Sequence, residues 1–276
     1  MNLGSLELKN RVFLAPMLEY NDIAFRELCK KAGAGLCWTG MINPLSKQEF
    51  DFSDFPVIQL FCNSPEGVGE FVKKYDPQAS MWDFNLGCPS KKAGKCEVGS
   101  FMRDLKKIEE ILKIIKENAK RPVCIKIRKS KNSFKLLKIA EKYCDVICIH
   151  SRTKEQGYSG KPDLEFALRL KKKSKIPVIY SGDVDENNVF ELLERFDYTM
   201  IGRKAMGNPG VFSKINGGNK SYNFFDYLKK ARKHNLPFSQ LKIQAMVFTK
   251  GIKNASEIRE KITFAKTIGE IVAILN

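Results

Sequence analysis

With 276 residues, 43% of them apolar, the chain is long enough for one large domain with an appendage, and no apolar run reaches membrane-spanning length. Its 48 Lys and Arg against 31 Asp and Glu leave a formal charge of +17, which points to a polyanionic partner, nucleic acid first, over the plainer alternative of a basic, well-solvated surface. Eight scattered cysteines without a Cys-x-x-Cys pair, and histidines only at His150 and His234, argue against a metal site; the N-terminus lacks a secretory pattern, so a cytoplasmic location is expected.

Through the first 215 residues, short β-rich runs alternate with amphipathic helical stretches. In order, a strand at 12–15 is followed by a helix at 23–31, and a strand at 36–39 by a stretch at 42–55 too broken by proline and polar residues to read as a helix. Strands at 57–61 and 81–86 follow, with helices at 65–75 and 108–118. Strands at 123–127, 146–150, 178–181 and 198–201 then alternate with helices at 133–143, 164–171 and 186–194, and a short helix starts near 208. Eight apolar runs joined by crossovers predict a closed (β/α)8 barrel rather than an open sheet, and no G-x-G-x-x-G turn follows the first strand. The turn-rich Asn216-Gly217-Gly218-Asn219 then leads into three predicted helices, 224–234, 239–253 and 256–275, with Ser239 and Ser256 expected to cap the last two. The division expected is a barrel over 1–218 and a small all-helical domain over 219–276, with Ile243, Val247, Ile252, Ile262, Phe264 and Ile271 in its core. The alternative is that these helices close off the barrel.

A barrel places its chemistry just beyond the C-terminal ends of its strands. There the sequence carries Pro16-Met17, Thr39-Gly40, Gln59, Asn85 with Cys88, Lys126 with Arg128, His150 with Arg152, Ser181-Gly182-Asp183 and Gly202-Arg203. Cys88, pinned between Gly87 and Pro89 where the fourth strand ends, is the strongest candidate for a reactive group; the plainer reading is a free thiol used as a small hydrophobe. Glycines after the last two strands, with Arg203 and a helix starting beyond Asn208, suggest a phosphate cradle. Lys126, inside an apolar run, is expected to project into the barrel mouth, where a cation stabilises negative charge on a reduced flavin ring.

The phrases LAPM (14–17), PVIQLF (56–61), DFNLGCPSKK (83–92), IKIR (125–128), IHSRTKEQGYSG (149–160), YSGDV (180–184) and MIGRKAMGNP (200–209) resemble those of tRNA-dihydrouridine synthases in order and spacing. The resemblance implies FMN contacts from Pro16, Met17, Leu18, Gln59, Lys126, His150, Ser181, Gly182, Asp183, Gly202 and Arg203, with Cys88 as the proton donor and NADPH as the electron source. It implies reduction of a uracil C5–C6 bond in tRNA. Asn85, Lys91, Lys92, Arg128 and Arg152 are the expected substrate contacts, and a monomer is expected. The chain departs from the family pattern at Leu18-Glu19-Tyr20-Asn21-Asp22, at Ser151 and Ser181, and in the loop 93–100, which has lost glycines and gained Cys96. Two alternatives remain at this stage: an FMN-dependent dehydrogenase of a small conjugated substrate, and a catalytically silent RNA-binding barrel.

Overall fold

Alternation along a strand sends successive side chains to opposite faces, so a run that is apolar throughout must be covered on both. The computed structural model of the protein, which describes residues 2–276 apart from the Lys92 side chain, meets that requirement with a closed barrel. A hairpin of β1 (Asn2–Leu3) and β2 (Leu6–Glu7) comes first. The barrel strands are β3 (Val12–Leu14), β4 (Trp38–Ile42), β5 (Val57–Leu60), β6 (Met81–Leu86), β7 (Val123–Arg128), β8 (Val146–His150), β9 (Val178–Ser181) and β10 (Tyr198–Ile201). All pair in parallel, in the order β3-β10-β9-β8-β7-β6-β5-β4, and the Leu14 N–H donates to the Leu36 carbonyl at 2.8 Å to join the two ends. The eight predicted strands are the eight observed.

Helices α1 (Ile23–Lys31), α2 (Val68–Tyr75), α4 (Leu105–Asn118), α5 (Ser133–Tyr143), α6 (Leu164–Lys173), α7 (Val189–Arg195) and α8 (Gly210–Ile215) lie between strands or after the last one. Asp22, Asp104 and Asp163 cap α1, α4 and α6 by accepting from their first-turn N–H groups. Outward-facing Leu14, Ile58, Phe84, Ile125 and Ile147 pack against these helices, whereas Phe13, Trp38, Val57, Met81, Cys124, Val146, Ile179 and Tyr198 fill the barrel interior. The hairpin was not foreseen, because two-residue strands carry no period. It plugs the barrel from below: Leu3 is fully buried in the interior cluster, and the Tyr198 hydroxyl donates to the Asn2 carbonyl at 3.0 Å. Also unforeseen is α3 (Lys91–Lys95), a single turn and a half after Cys88. The stretch after β4 forms no regular element among the described residues.

The tail departs from expectation in detail. It contains α9 (Phe224–Lys233), α10 (Phe238–Phe248), α11 (Ala255–Phe264) and α12 (Ile268–Leu275), so the helix predicted over 256–275 is two, broken where Thr267 caps α12 by accepting from the Glu270 N–H. Neither Ser239 nor Ser256 is a cap; Pro237 and Asn254 hold those positions without side-chain hydrogen bonds. Ile262 and Ile271 are fully buried as expected, but Ile252 and Phe264 are exposed. Helix α9 packs along α1, and Phe248 of α10 meets Phe25 of α1 edge-on at 6.4 Å, so the tail's apolar residues continue the layer outside the barrel.

Candidate functional site

At the C-terminal ends of the strands the interior turns from apolar to polar, and a cavity of about 920 Å³ opens. Strand register sets its walls: Asn85 lies beside Lys126, and Arg128 beside His150, which in turn lies beside Ser181. Pro16, Met17, Leu18, Gln59, Asn85, Cys88, Lys126, Arg128, His150, Arg152, Ser181, Gly182, Asp183, Gly202 and Arg203 all line this one space. Lys126 is almost wholly buried, and its neighbour along the inward face, Cys124, lies in the interior core. The expected projection of Lys126 into the mouth is what the register produces.

A chain of hydrogen bonds runs up the inside of the barrel to the candidate thiol. Asp83, fully buried, accepts from Trp38 Nε1 at 2.8 Å and from Gln59 Nε2 at 2.6 Å, both at Oδ2. Gln59 Oε1 then accepts from Asn85 Nδ2 at 2.7 Å, and Asn85 Oδ1 accepts from the Gly87 and Cys88 N–H groups at 3.1 and 3.0 Å. A carboxylate can only accept, so it dictates the orientation of both amides above it. Burial raises the Asp83 carboxyl to about 6, against the opposing pull of Gln59, Trp38 and Lys126.

The Cys88 thiol donates to Ser90 Oγ at 3.3 Å, and the same oxygen accepts the Ala93 N–H at the start of α3. From the other side Ser100 donates to the Cys88 carbonyl through both its N–H, at 3.1 Å, and its hydroxyl, at 2.8 Å. Close approach requires glycine next door: Gly99 has φ +61°, and a Cβ there would lie 2.9 Å from the Cys88 Cβ. Cys96 is exposed, and its carbonyl accepts from Asn63 at 2.9 Å. Only Cys88 of these two thiols lines the cavity.

At the opposite end of the cavity stand Gly182, Asp183, Gly202 and Arg203. Arg203 donates to Asp183 Oδ1 at 2.6 Å and lies over the Tyr158 ring at 5.2 Å. Arg152, 2% exposed, holds the same carboxylate through Oδ2 at 2.5 Å and Oδ1 at 3.1 Å, and also bonds the Ser159 and Gly160 carbonyls. Burial works against ionisation of Asp183, but the two guanidinium groups outweigh it and hold its carboxyl below the ordinary value. Arg128 is similarly engaged, donating to the Gly87, Thr153 and Gly157 carbonyls. The two arginines expected to meet substrate thus brace the loops around the cavity. Burial, reinforced by Lys126, Arg128, Arg152 and Arg203, lowers the His150 pKa to about 2, so its ring is neutral and its Nε2 accepts from Arg152 Nη1 at 3.4 Å.

Other expectations are placed less centrally. Helix α8 begins at Gly210, and the lining from this part of the chain stops at Met206, so no helix N-terminus faces the cradle. Lys91 is exposed at the start of α3, and the Lys92 side chain lies outside the described residues. The cavity also has walls that sequence reading missed: Tyr20, Met41, Tyr158, Asp185, Lys204, Met206 and, from the tail, Lys250. Tyr158 had a signal, an aromatic side chain close to Gly157 and Gly160 in a loop after a strand. Lys250 had none, because its place depends on how α10 docks; its Nζ donates to the Arg203 carbonyl at 2.9 Å. The docking is close. A Cβ at Gly207 would lie 2.2 Å from the Val247 carbonyl oxygen, and Gln240 and Gln244, one turn apart on α10, donate to the carbonyls of Glu19 and Tyr20 and to Asp22 Oδ2.

The cavity's donors suit a ligand with an anionic group at one end and a planar polar ring at the other: Arg203 and two glycines face the first, and Lys126, Gln59, Asn85 and a neutral imidazole face the second. The family model described as "Dihydrouridine synthase (Dus)" matches residues 13–263. A probable tRNA-dihydrouridine synthase of Rickettsia bellii is 35% identical over 238 residues, spanning 78% of this chain and 73% of that protein. The tRNA-dihydrouridine synthase B of Vibrio parahaemolyticus is 32% identical over the same length, spanning 78% of this chain and 74% of its own. Among solved structures, morphinone reductase in complex with tetrahydroNAD superimposes with a TM-score of 0.58 at 13% identity, over 80% of this chain and 90% of that one, a likeness of fold.

Proposed function

The chain belongs to the dihydrouridine synthase family, and from that premise we propose that it reduces the C5–C6 double bond of a uracil base in tRNA, with FMN as cofactor and NADPH as reductant. The observation that carries this reading is the convergence of the Cys88 thiol with Gln59, Asn85, Lys126 and His150 on one cavity. FMN fits the donor set, its phosphate against Ser181, Gly182, Asp183, Gly202 and Arg203 and its ring against Pro16, Met17, Leu18, Gln59, Lys126 and His150. When bound and reduced, the flavin would supply a hydride to one of the two ring carbons. Saturating the bond also takes a proton at the neighbouring carbon, and Cys88 gives it from its S–H, leaving a thiolate to which the Ser90 hydroxyl, 3.3 Å away, can donate. A thiol is suited to this task because it carries a single transferable proton on a side chain short enough to be held in one place.

Asn85, whose oxygen fixes the Cys88 backbone, and the exposed Lys91 with Lys92 are placed by this reading near the base and the RNA backbone; Arg128 and Arg152 serve the substrate by holding the loops that frame it. The formal +17 supports a polyanionic partner. Part of the tail's charge is used internally, since Lys230 pairs with Glu27 at 2.6 Å and Lys242 bonds the Thr263 and Ala265 carbonyls; Lys229, Arg232, Lys233 and Lys253 are exposed to meet RNA. The protein is read as a monomer acting in the cytoplasm, its helical tail from 219 onward completing the RNA-binding surface. Among the described residues no helix is long and apolar enough to cross a membrane.

The test is single-turnover. The purified protein is expected to carry flavin absorbance, to be reduced by NADPH, and to be reoxidised by unmodified tRNA with dihydrouridine appearing in the product. Reoxidation by free uracil or another small conjugated substrate, at a rate indifferent to tRNA and to salt, favours a small-molecule dehydrogenase instead.

A further inference from the structure

We propose that Asp83 is a positioning residue whose buried negative charge, set beneath Lys126 and transmitted through Gln59 and Asn85, holds the flavin in a strongly reducing poise; the proposal rests on the flavin reading above. Asp83 lies in the interior of β6, one inward step below Asn85, and Asn85 is the register partner of Lys126 on β7. It touches neither the cavity nor solvent. Its Oδ2 satisfies Trp38 and Gln59, while Oδ1 has no N–H or O–H donor among the described residues, only the weakly donating thiol of its register partner Cys124.

That half-satisfied arrangement is informative. An asparagine with its oxygen in the Oδ2 position accepts both existing bonds, and its amide group takes the place of Oδ1 beside the Cys124 sulfur, which can accept. Neutral asparagine therefore reproduces the packing and the amide orientations above it without the cost of a buried charge. Stability gives no reason for a carboxylate here, and the charge is left to be explained by what lies above it. Adding electrons to a ring near a fixed negative charge is opposed by Coulomb repulsion, and Lys126, the cation that stabilises the reduced ring, is partly offset by the same carboxylate. A carboxylate at this depth thus disfavours the reduced cofactor and makes it the stronger donor to an electron-poor double bond.

The experiment compares wild type with Asp83→Asn, using the full chain. Three readouts are taken: the midpoint potential of bound flavin by dye equilibration, the melting temperature of the flavin-free protein at pH 7.5, and single-turnover reoxidation by unmodified tRNA. The expected result is an upward shift in potential, a melting temperature at or above that of wild type, and reoxidation slowed by about tenfold, the factor that one pK unit of lost charge interaction represents. An unchanged potential, or a lower melting temperature with potential and reoxidation both intact, overturns the proposal and leaves Asp83 a structural residue. If Asp83→Asn does not accumulate folded, Trp38→Phe removes one donor to Oδ2, disfavours the charged form and shifts the potential in the same direction; no shift in that variant is equally fatal. A wild type that binds no flavin sinks the functional reading itself, an outcome distinct from flavin bound at an unshifted potential.

Discussion

The two ends of the barrel interior are built by the same strands with the same alternation, yet they have opposite characters. Below, Phe13, Val57, Met81, Val146, Ile179 and Tyr198 pack with the hairpin's Leu3 and exclude water. Above, one inward step further on come Ala15, Gln59 and Ser181, and two steps further on, past Asp83 and Cys148, come Asn85 and His150; with Lys126 from β7 they leave a cavity. The lower layer contributes stability through burial, at about 25 cal/mol per Å² of apolar surface. The upper layer forgoes that contribution and holds dipoles and one cation in fixed directions. One or two inward steps along a strand separate scaffold from chemistry, and substitutions on the two sides of that boundary are expected to fail in different ways.

The largest effect is expected below. Phe13 is fully buried, with its ring 5.2 Å from Tyr198 and 5.7 Å from Trp38. Phe13→Ala is expected to cost about 3–5 kcal/mol in denaturant unfolding. The folded fraction should retain flavin with unchanged affinity; flavin loss in well-folded Phe13→Ala protein shows that the two layers are not separable.

On the boundary itself lies Asp83, where the expected signature is a pH dependence. Its carboxyl is raised from 3.8 to about 6, chiefly by burial, so between those values the folded protein retains a proton that the unfolded chain has released. The Asp83 contribution to stability therefore falls as pH rises through that window, by on the order of 3 kcal/mol in all. The thiols that interact with Asp83 do not titrate there, since burial pushes Cys124, Cys144 and Cys148 upward, the last to about 12; His150, lowered to about 2 in the fold, is protonated in the unfolded chain below 6.5 and contributes in the opposite direction. Urea unfolding of the flavin-free protein from pH 4 to pH 7 should show wild type losing about that much stability relative to Asp83→Asn, a difference that cancels the opposite slope His150 imposes on both. Identical profiles argue that the carboxyl is not held up by burial.

Above the boundary the sharpest contrast is between two thiols in one loop. Cys88→Ala should keep flavin and its reduction by NADPH but lose at least about 100-fold in reoxidation by tRNA, the usual cost of a missing general acid. Cys96→Ala, altering an exposed side chain outside the cavity, should keep most activity. Near-normal rates in Cys88→Ala, or collapse in Cys96→Ala alone, assign the proton to the wrong sulfur.

This contrast also marks what the sequence made legible. Strands could be read because each is a continuous apolar run, and their polar ends then fell into one ring without having been used to find them. Lys126 could be placed because it interrupts an otherwise apolar run. What could not be read depends on contacts between distant segments. Nothing local tells that Arg128 and Arg152 spend their donors on loop carbonyls 25–41 and 7–8 residues away respectively, or that Lys250 reaches the Arg203 carbonyl 47 residues back. The tail was harder for another reason: α10 buries Gln244 and α11 exposes Phe264, so polarity and burial part company where helices dock on a polar loop. A break at 265–267 within an apolar, periodic stretch left only Thr267 as its sign.

The smallest expected effect is at the anionic end of the cavity, and it is small for a structural reason. Arg203 is half exposed and already paired with Asp183. A phosphate arriving at Gly182 and Gly202 competes for a guanidinium that has a partner, so the net gain is the difference between two charge-assisted bonds, screened by solvent. Asp183 remains held by Arg152 in either state, so the loop does not depend on Arg203 for its shape. Arg203→Ala is therefore expected to weaken flavin retention by about tenfold, the lower end of what a charge-assisted contact contributes, with kcat at saturating flavin nearly unchanged. Arg152→Ala, by contrast, frees both Asp183 and the 159–160 carbonyls from a 2% exposed anchor, and should lose flavin together with folded stability. Equilibrium dialysis of flavin against the two variants separates them: equal retention in Arg203→Ala and wild type removes the phosphate from this end of the cavity, and a loss in Arg203→Ala as deep as in Arg152→Ala shows that Arg203 also braces the loop.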